Sequence, residues 1–361
     1  MKPTQALHEL GQSLWLDNIT RGMLQDGTLQ RYINEFSITG LTSNPTIYDQ
    51  AITKTNFYDE AIRNRPGRAG SAEDLFFELA LEDLTRTADL FRPIHDRTQG
   101  ADGWVSLELS PRLAHDPVVS VNAATQLHAQ AQRPNLFIKI PGTPEGLAAI
   151  EEVIFRGIPV NVTLLFSREQ YLAAADAYTR GIERRVAAGK SPHVGSVASL
   201  FVSRWDKAVA GKTPAELRNQ LAIAIAKRTY KAYREWLASS RWRKLAEAGA
   251  RPQRLLWAST STKDPAAPDV LYVEALAAPD TINTMPDQTL MAFADHGHTG
   301  GVLSEDGGDA EAVIAAFRRA GVDEAQLALQ LQREGAEAFD QSWSDLIGRL
   351  EEKSSALTRV A

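Results

Sequence analysis

The stretch Phe137-Ile138-Lys139-Ile140-Pro141 sets one lysine inside an apolar run. Such a lysine is either a snorkelling or ion-paired structural group, or an amine nucleophile. Desolvation lowers a lysine pKa from its reference value of about 10.4, which makes the neutral amine available. A neutral amine condenses with a carbonyl to an imine, and the protonated imine is an electron sink for C–C cleavage. That chemistry also needs proton carriers, and Asp17 and Glu108 are the candidate carboxylates. Singly, each reads well as a structural partner. Two carboxylates gathered with a lysine at one rim favour catalysis.

The elements that must gather them are short β-rich segments, each followed by a helical pattern. They are Ser13–Asn18, Ile38–Asn44, Trp104–Ser110, Leu136–Pro141, Val160–Leu165, Ser196–Val202, Arg254–Ser261 and Thr281–Met285. Strands alternating with helices predict βαβ units and a parallel sheet. Eight of them predict a closed α/β architecture, a (β/α)8 TIM barrel, with active groups at the C-terminal rim. Successive strand side chains point to opposite faces. Asp17 then shares a face with Trp15, Thr42 with Asn44, Ser106 with Glu108, and Lys139 with Phe137. Asn161 pairs in the same way with Thr163, and Ser199 with Phe201. Ser259 and Ser261 share a face with a weaker contrast to Ala258 and Thr260. The opposite parity is apolar and is expected to pack under the helices. The rim residues cost free energy to bury unless they are paired or functional.

Helical patterns fill the gaps. Ser167-Arg168-Glu169-Gln170 predicts a capping box opening a helix to Ala187, and Thr213-Pro214 predicts another running towards Ala248. With no Pro/Gly/Ser linker and no repeat, the 361 residues read as a single barrel domain. It carries helical insertions at about 45–93 and 206–250 and a C-terminal helical extension at about 308–355, the last including Ala310–Arg319 and Glu324–Lys353.

The net charge of −6 speaks against nucleic-acid binding. The basic cluster from Lys227 to Lys244 reads as the solvated side of a long helix. There is no cysteine, so thiol chemistry and disulfides are excluded. The start MKPTQALHEL has no apolar signal core, and no window nears the ~18 apolar residues of a membrane span. A cytoplasmic protein without membrane partners is expected. His296-Gly297-His298 is the one close histidine pair and a weak ligand signal, so no metal is expected. The Gly-rich runs near 297–308 match no phosphate or dinucleotide fingerprint. The oligomeric state stays open, a homodimer included.

Seven motifs in chain order resemble the transaldolase family. They are Trp15-Leu-Asp-Asn-Ile-Thr-Arg21, Gly40-Leu-Thr-Ser-Asn-Pro-Thr46, Ser106-Leu-Glu108, Ile138-Lys-Ile-Pro-Gly-Thr143, Asn161-Val-Thr-Leu-Leu-Phe166, Ser199-Leu-Phe-Val-Ser-Arg204 and Trp257-Ala-Ser-Thr260. The resemblance covers most of the chain and continues into Ala292-Phe-Ala-Asp-His-Gly297. It implies a class I aldolase barrel that uses a lysine Schiff base and no metal or cofactor. It further implies transfer of a dihydroxyacetone unit between sugar phosphates in the pentose phosphate pathway.

By that resemblance Lys139 is the Schiff-base lysine and Asp17 the acid/base at the donor C4 hydroxyl. Glu108 works through a water during imine formation and hydrolysis, with Thr163 beside that water. Asn44, Asn161 and Ser199 hold the dihydroxyacetone hydroxyls, and Arg204 and Ser259 contact phosphate. Thr42, Ser106 and Phe201 complete the substrate-facing set by parity. One departure stands out: several relatives carry a second phosphate arginine where this chain has Ser261. Lys263, two positions later, is expected to supply the charge, the alternative being a solvated loop lysine.

The nearest competing reading is a fructose 6-phosphate aldolase, which uses free dihydroxyacetone. In that relative the Glu108 position is typically glutamine and the Phe201 position tyrosine, so both residues here take the transferase form. A pyridoxal-phosphate enzyme would need a partner for the pyridine nitrogen, and none is identifiable. A sugar-phosphate-binding barrel without catalysis conflicts with the intact Lys139, Asp17 and Glu108.

Overall fold

A computed structural model describes residues 1–64 and 70–359 of the chain. The eight β-rich segments form β1 (Ser13–Leu16), β2 (Ile38–Thr42), β3 (Val105–Glu108), β4 (Leu136–Pro141), β5 (Val160–Leu165), β6 (Ser196–Phe201), β7 (Gln253–Ala258) and β8 (Ile282–Met285). All pair in parallel in chain order, and β8 returns to β1, so the sheet closes into a barrel. The register places Glu108 beside Lys139 and Lys139 beside Asn161.

The two parities divide as alternation predicts. Leu14, Leu16, Ile138, Ile140, Val160 and Val162 are buried on the helix-facing side. Inside the barrel, Trp15 and Phe137 lie one alternation below Asp17 and Lys139, their ring centroids 6.2 Å apart. Trp104 stacks on Phe137 at 4.1 Å. Gly40 is required here, because a Cβ at that position would sit 2.5 Å from the Trp15 ring. Aromatic rings therefore pack the barrel interior beneath Asp17 and Lys139.

The insertion after β2 forms the helices Pro45–Lys54, Asp59–Arg63 and Ala72–Arg97, the last continuing four residues past Pro93. The Ser167 side chain caps Arg168–Ala187 by accepting from the Gln170 N–H. The Gln170 amide reaches back to the Phe166 N–H at 2.7 Å, one residue earlier than a capping box prescribes.

The expected helix from Thr213 differs. That segment is a single turn at Ala215–Leu217, and the helix begins at Leu221. Asn219 adopts a left-handed conformation (φ 60°) and donates to Asp264 at 2.7 Å, which interrupts helical growth. Asp206, from the preceding helix Arg204–Val209, caps the new start by accepting from the Ala222 N–H. A second break at Ser239 separates Leu221–Ala238 from Ser240–Glu247. The basic cluster on these helices is not simply solvated. Arg228 is buried against Glu311 and Glu324, and Arg241 pairs with Glu183 and Asp176.

After β8 come Asp287–His296, Ala310–Arg319 and the long terminal helix Glu324–Arg359. Among the described residues, no helix is long and apolar enough to cross a membrane.

Candidate active site

A cavity of about 300 Å³ opens at the C-terminal ends of the strands. Lys139 reaches it from β4 and is only 6% exposed. Its Nζ lies 3.5 Å from Glu108 Oε2 and 3.5 Å from the Ser43 carbonyl. The pairing follows from register, since neighbouring residues on parallel strands project side by side. Asp17 follows β1 directly and prolongs its ladder by donating its N–H to the Met285 carbonyl at 2.9 Å. Its Oδ1 accepts from the Thr42 hydroxyl at 3.0 Å, and Thr42 meets the Thr284 hydroxyl at 2.9 Å.

Burial raises the Glu108 pKa to about 7; the Lys139 charge pulls it down and the Asp17 charge pushes it further up. Burial also raises Asp17, with Lys139, Thr42 and Lys263 opposing. Both carboxyls thus sit above the ordinary carboxylate range, where a proton is easier to hold and return.

Behind the cavity wall, Asn161 donates to Ser106 Oγ at 3.1 Å and accepts from Ser199 Oγ at 2.7 Å. This chain fixes the Asn161 amide. Asn44 faces the cavity as the N-cap of Pro45–Lys54, its side chain accepting from the Ile47 N–H at 3.3 Å. Asn followed by Pro suits a helix start, because the proline lacks an N–H that would go unpaired there. Thr163 also lines the cavity, and its buried hydroxyl oxygen has no hydrogen-bond partner among the described residues.

Arg204 and Lys263 make one part of the cavity cationic. The Arg204 guanidinium lies 5.3 Å from the Phe201 ring centroid. Lys263 donates to Ser261 Oγ at 2.6 Å. Partial desolvation lowers the Lys263 pKa, with the Lys207 and Arg204 charges adding to the effect and Asp17 opposing it. Ser259 meets the Ser203 hydroxyl at 3.0 Å.

Strict alternation fails here. β7 ends at Ala258, and Ser259 turns to a left-handed φ of 56°. Ala258, Ser259 and Ser261 therefore all line the cavity, although the predicted strand to Ser261 put Ala258 on the other face. Thr260 turns away to donate to Asn283.

Of the residues read from the sequence, the cavity takes Asp17, Thr42, Asn44, Lys139, Thr163, Ser199 and Phe201, with Arg204, Ser259, Ser261 and Lys263 at its cationic part. Ser106, Asn161 and Glu108 stand behind the wall, joined to it by the contacts above. Sequence reasoning missed Thr284, Phe339 and Ser342.

The model of the family described as Transaldolase/Fructose-6-phosphate aldolase matches residues 14–350. The chain belongs to this family. A transaldolase of Parafrankia sp. is 44% identical, with 98% of both chains covered. One from Thermobifida fusca is 43% identical over 99% of both. A third, from Thiobacillus denitrificans, is 43% identical over 97% of this chain and 100% of the relative. The family match spans the whole barrel and most of the terminal helix. The matched span includes the helical insertions and most of the C-terminal extension.

Proposed function

We propose that the chain is a transaldolase whose reaction runs through an imine on Lys139. The observation that carries the residue roles is the buried Lys139–Glu108 pair at 3.5 Å, opening onto a cavity that Asp17 also lines. The Lys139 amine adds to the C2 carbonyl of a ketose phosphate, sedoheptulose 7-phosphate or fructose 6-phosphate. Water leaves, its protons relayed through Glu108 and a water held at the Thr163 hydroxyl. Asp17 takes the C4 hydroxyl proton, the C3–C4 bond breaks, and its electron pair passes into the iminium to form an enamine. The aldose phosphate departs. The enamine carbon then attacks the aldehyde of glyceraldehyde 3-phosphate or erythrose 4-phosphate. Asp17 returns the proton to the new hydroxyl, and water releases the product ketose. This exchange belongs to the non-oxidative pentose phosphate pathway. It requires no metal or cofactor and suits a cytoplasmic enzyme.

Asn44 and Ser199 orient the three-carbon unit, Asn161 acting on it from behind the wall through the Ser199 hydroxyl, while Thr42 and Ser106 orient Asp17 and Asn161. Phe201 walls the cavity beside Arg204. Arg204, Ser259, Ser261 and Lys263 take the phosphate, the arginine through its planar fork. The direct test is a coupled assay with sugar-phosphate donors, run with and without an aldose acceptor. Acceptor-dependent ketose formation supports the reading. Equal turnover with no acceptor identifies an aldolase instead.

Two expected outcomes arise from the site. Below about pH 7 Glu108 is protonated, and above it the carboxylate is free to activate water. Imine hydrolysis should therefore slow as pH falls through 7. Glu108→Gln should slow it at every pH and flatten that limb. A single-turnover pH profile checks this, and an unchanged limb in the variant contradicts the role.

At the cationic part, Arg204→Ala should raise the KM for fructose 6-phosphate roughly 100-fold and Lys263→Ala roughly 10-fold, the range for lost charged hydrogen bonds. Neither should change the KM for unphosphorylated fructose. An unaltered KM in Lys263→Ala returns that residue to the solvated loop.

A further inference from the structure

The terminal helix is not a peripheral decoration. It crosses the mouth of the barrel, tied at one end by Gln332, which donates to the Gly142 carbonyl at 3.1 Å and the Leu164 carbonyl at 3.0 Å. Gly335 permits this approach, since a Cβ there would meet the Leu164 side chain at 3.0 Å and the Arg204 guanidinium at 3.5 Å. Further along, the buried Trp343 packs edge-on against Phe76 at 5.0 Å, and Arg349 pairs with Asp49 at 2.7 Å. The helix is thus anchored to β4 and β5 on one side and to the insertion after β2 on the other.

Between these anchors the helix delivers Phe339 to the cavity, its ring centroid 5.4 Å from Lys139 Nζ. The polar neighbours of that nitrogen, Glu108 and the Ser43 carbonyl, belong to the barrel wall. Its mouth-side face is covered by an apolar ring.

We infer that Phe339 is a specificity-determining residue, which directs the three-carbon intermediate on Lys139 to an aldose acceptor rather than to water. The inference rests on the transaldolase reading. After the first C–C cleavage the enamine has two fates. Its carbon attacks an aldehyde, forming a C–C bond. Alternatively the carbon is protonated, water adds to the resulting iminium, the C–N bond breaks, and dihydroxyacetone leaves with the free amine restored. Both routes end with water at the nitrogen-bearing carbon, but the second takes it before an acceptor has added and the first only after the new C–C bond has formed. A ring over that position excludes water while the enamine, whose nitrogen is neutral, waits for its acceptor. The first route uses an acceptor that fills the cavity itself.

The test feeds fructose 6-phosphate with saturating erythrose 4-phosphate and measures free dihydroxyacetone against sedoheptulose 7-phosphate in the same reaction. The ratio does not depend on how much enzyme is folded. Phe339→Ala should raise it about 10-fold, the scale of a lost apolar contact that shields the site from water. Phe339→Leu keeps apolar bulk for helix packing but removes the shielding ring, and should raise it about threefold. An unchanged ratio in both variants overturns the inference, including the case where both products fall in parallel, which marks a packing role. The wild-type enzyme, run alongside with borohydride, separates the two levels. No adduct on Lys139 refutes the transaldolase reading, whereas an adduct with unchanged ratios refutes only the role of Phe339.

Discussion

Lys139→Met should reduce transfer by roughly 10⁴-fold or more, the scale seen when a covalent nucleophile is removed. Methionine retains an unbranched apolar stem of similar length, so the β4 strand and the Phe137 layer beneath should keep their packing. What disappears is the nitrogen that bonds the ketose C2. The Glu108 partner is lost too, leaving a buried carboxyl whose pKa burial already raises to about 7. Without Lys139 nearby, that carboxyl should remain protonated to higher pH, and so the variant should stay folded. Circular dichroism and a coupled assay on the same sample check both parts. Transfer within tenfold of the wild-type rate would remove Lys139 from the chemistry.

Asp17→Ala should separate imine formation from C–C cleavage. The imine needs Lys139 and Glu108, which the substitution leaves at their 3.5 Å contact. Cleavage needs a base at the C4 hydroxyl, and general acid–base groups typically contribute about 10²–10⁴-fold. Turnover should fall by that factor. Borohydride with fructose 6-phosphate should then trap an intact six-carbon phosphate adduct in place of a three-carbon one. The Thr42 hydroxyl, which donates to Asp17 and meets Thr284, offers no base of comparable strength. Near-normal turnover would remove Asp17 from the mechanism.

The barrel and most of the site were legible because strand alternation was visible in the residues themselves. In β1 with the Asp17 that follows it, and in β4 and β5, an apolar parity faces the helices, so the polar residues Asp17, Lys139, Asn161 and Thr163 declare the opposite face. β8 offers no such contrast: Thr281-Ile282-Asn283-Thr284-Met285 mixes polar and apolar residues on both parities, and Thr284 was missed. The strand has already ended at Ser259, whose left-handed φ accompanies its contact with Ser203 and the bonds of Thr260 to the β8 end, partners that local preference does not show. The helix expected at Thr213 failed for a related reason. Its true start at Leu221 is capped by Asp206 from a different helix, a partner that no local window contains. Phe339 lies 200 residues after Lys139 on a helix whose own pattern gives no sign of which face meets the cavity. Its place depends on the Gln332 and Trp343 anchors, which exist only once the barrel has closed.

The measurement that bears most directly on the whole account is reductive trapping. Wild-type protein incubated with fructose 6-phosphate and borohydride should lose activity and carry one reduced three-carbon unit, and peptide mapping should place it on Lys139. A unit found on Lys263 or another lysine, or full activity after reduction with no adduct, would contradict the account.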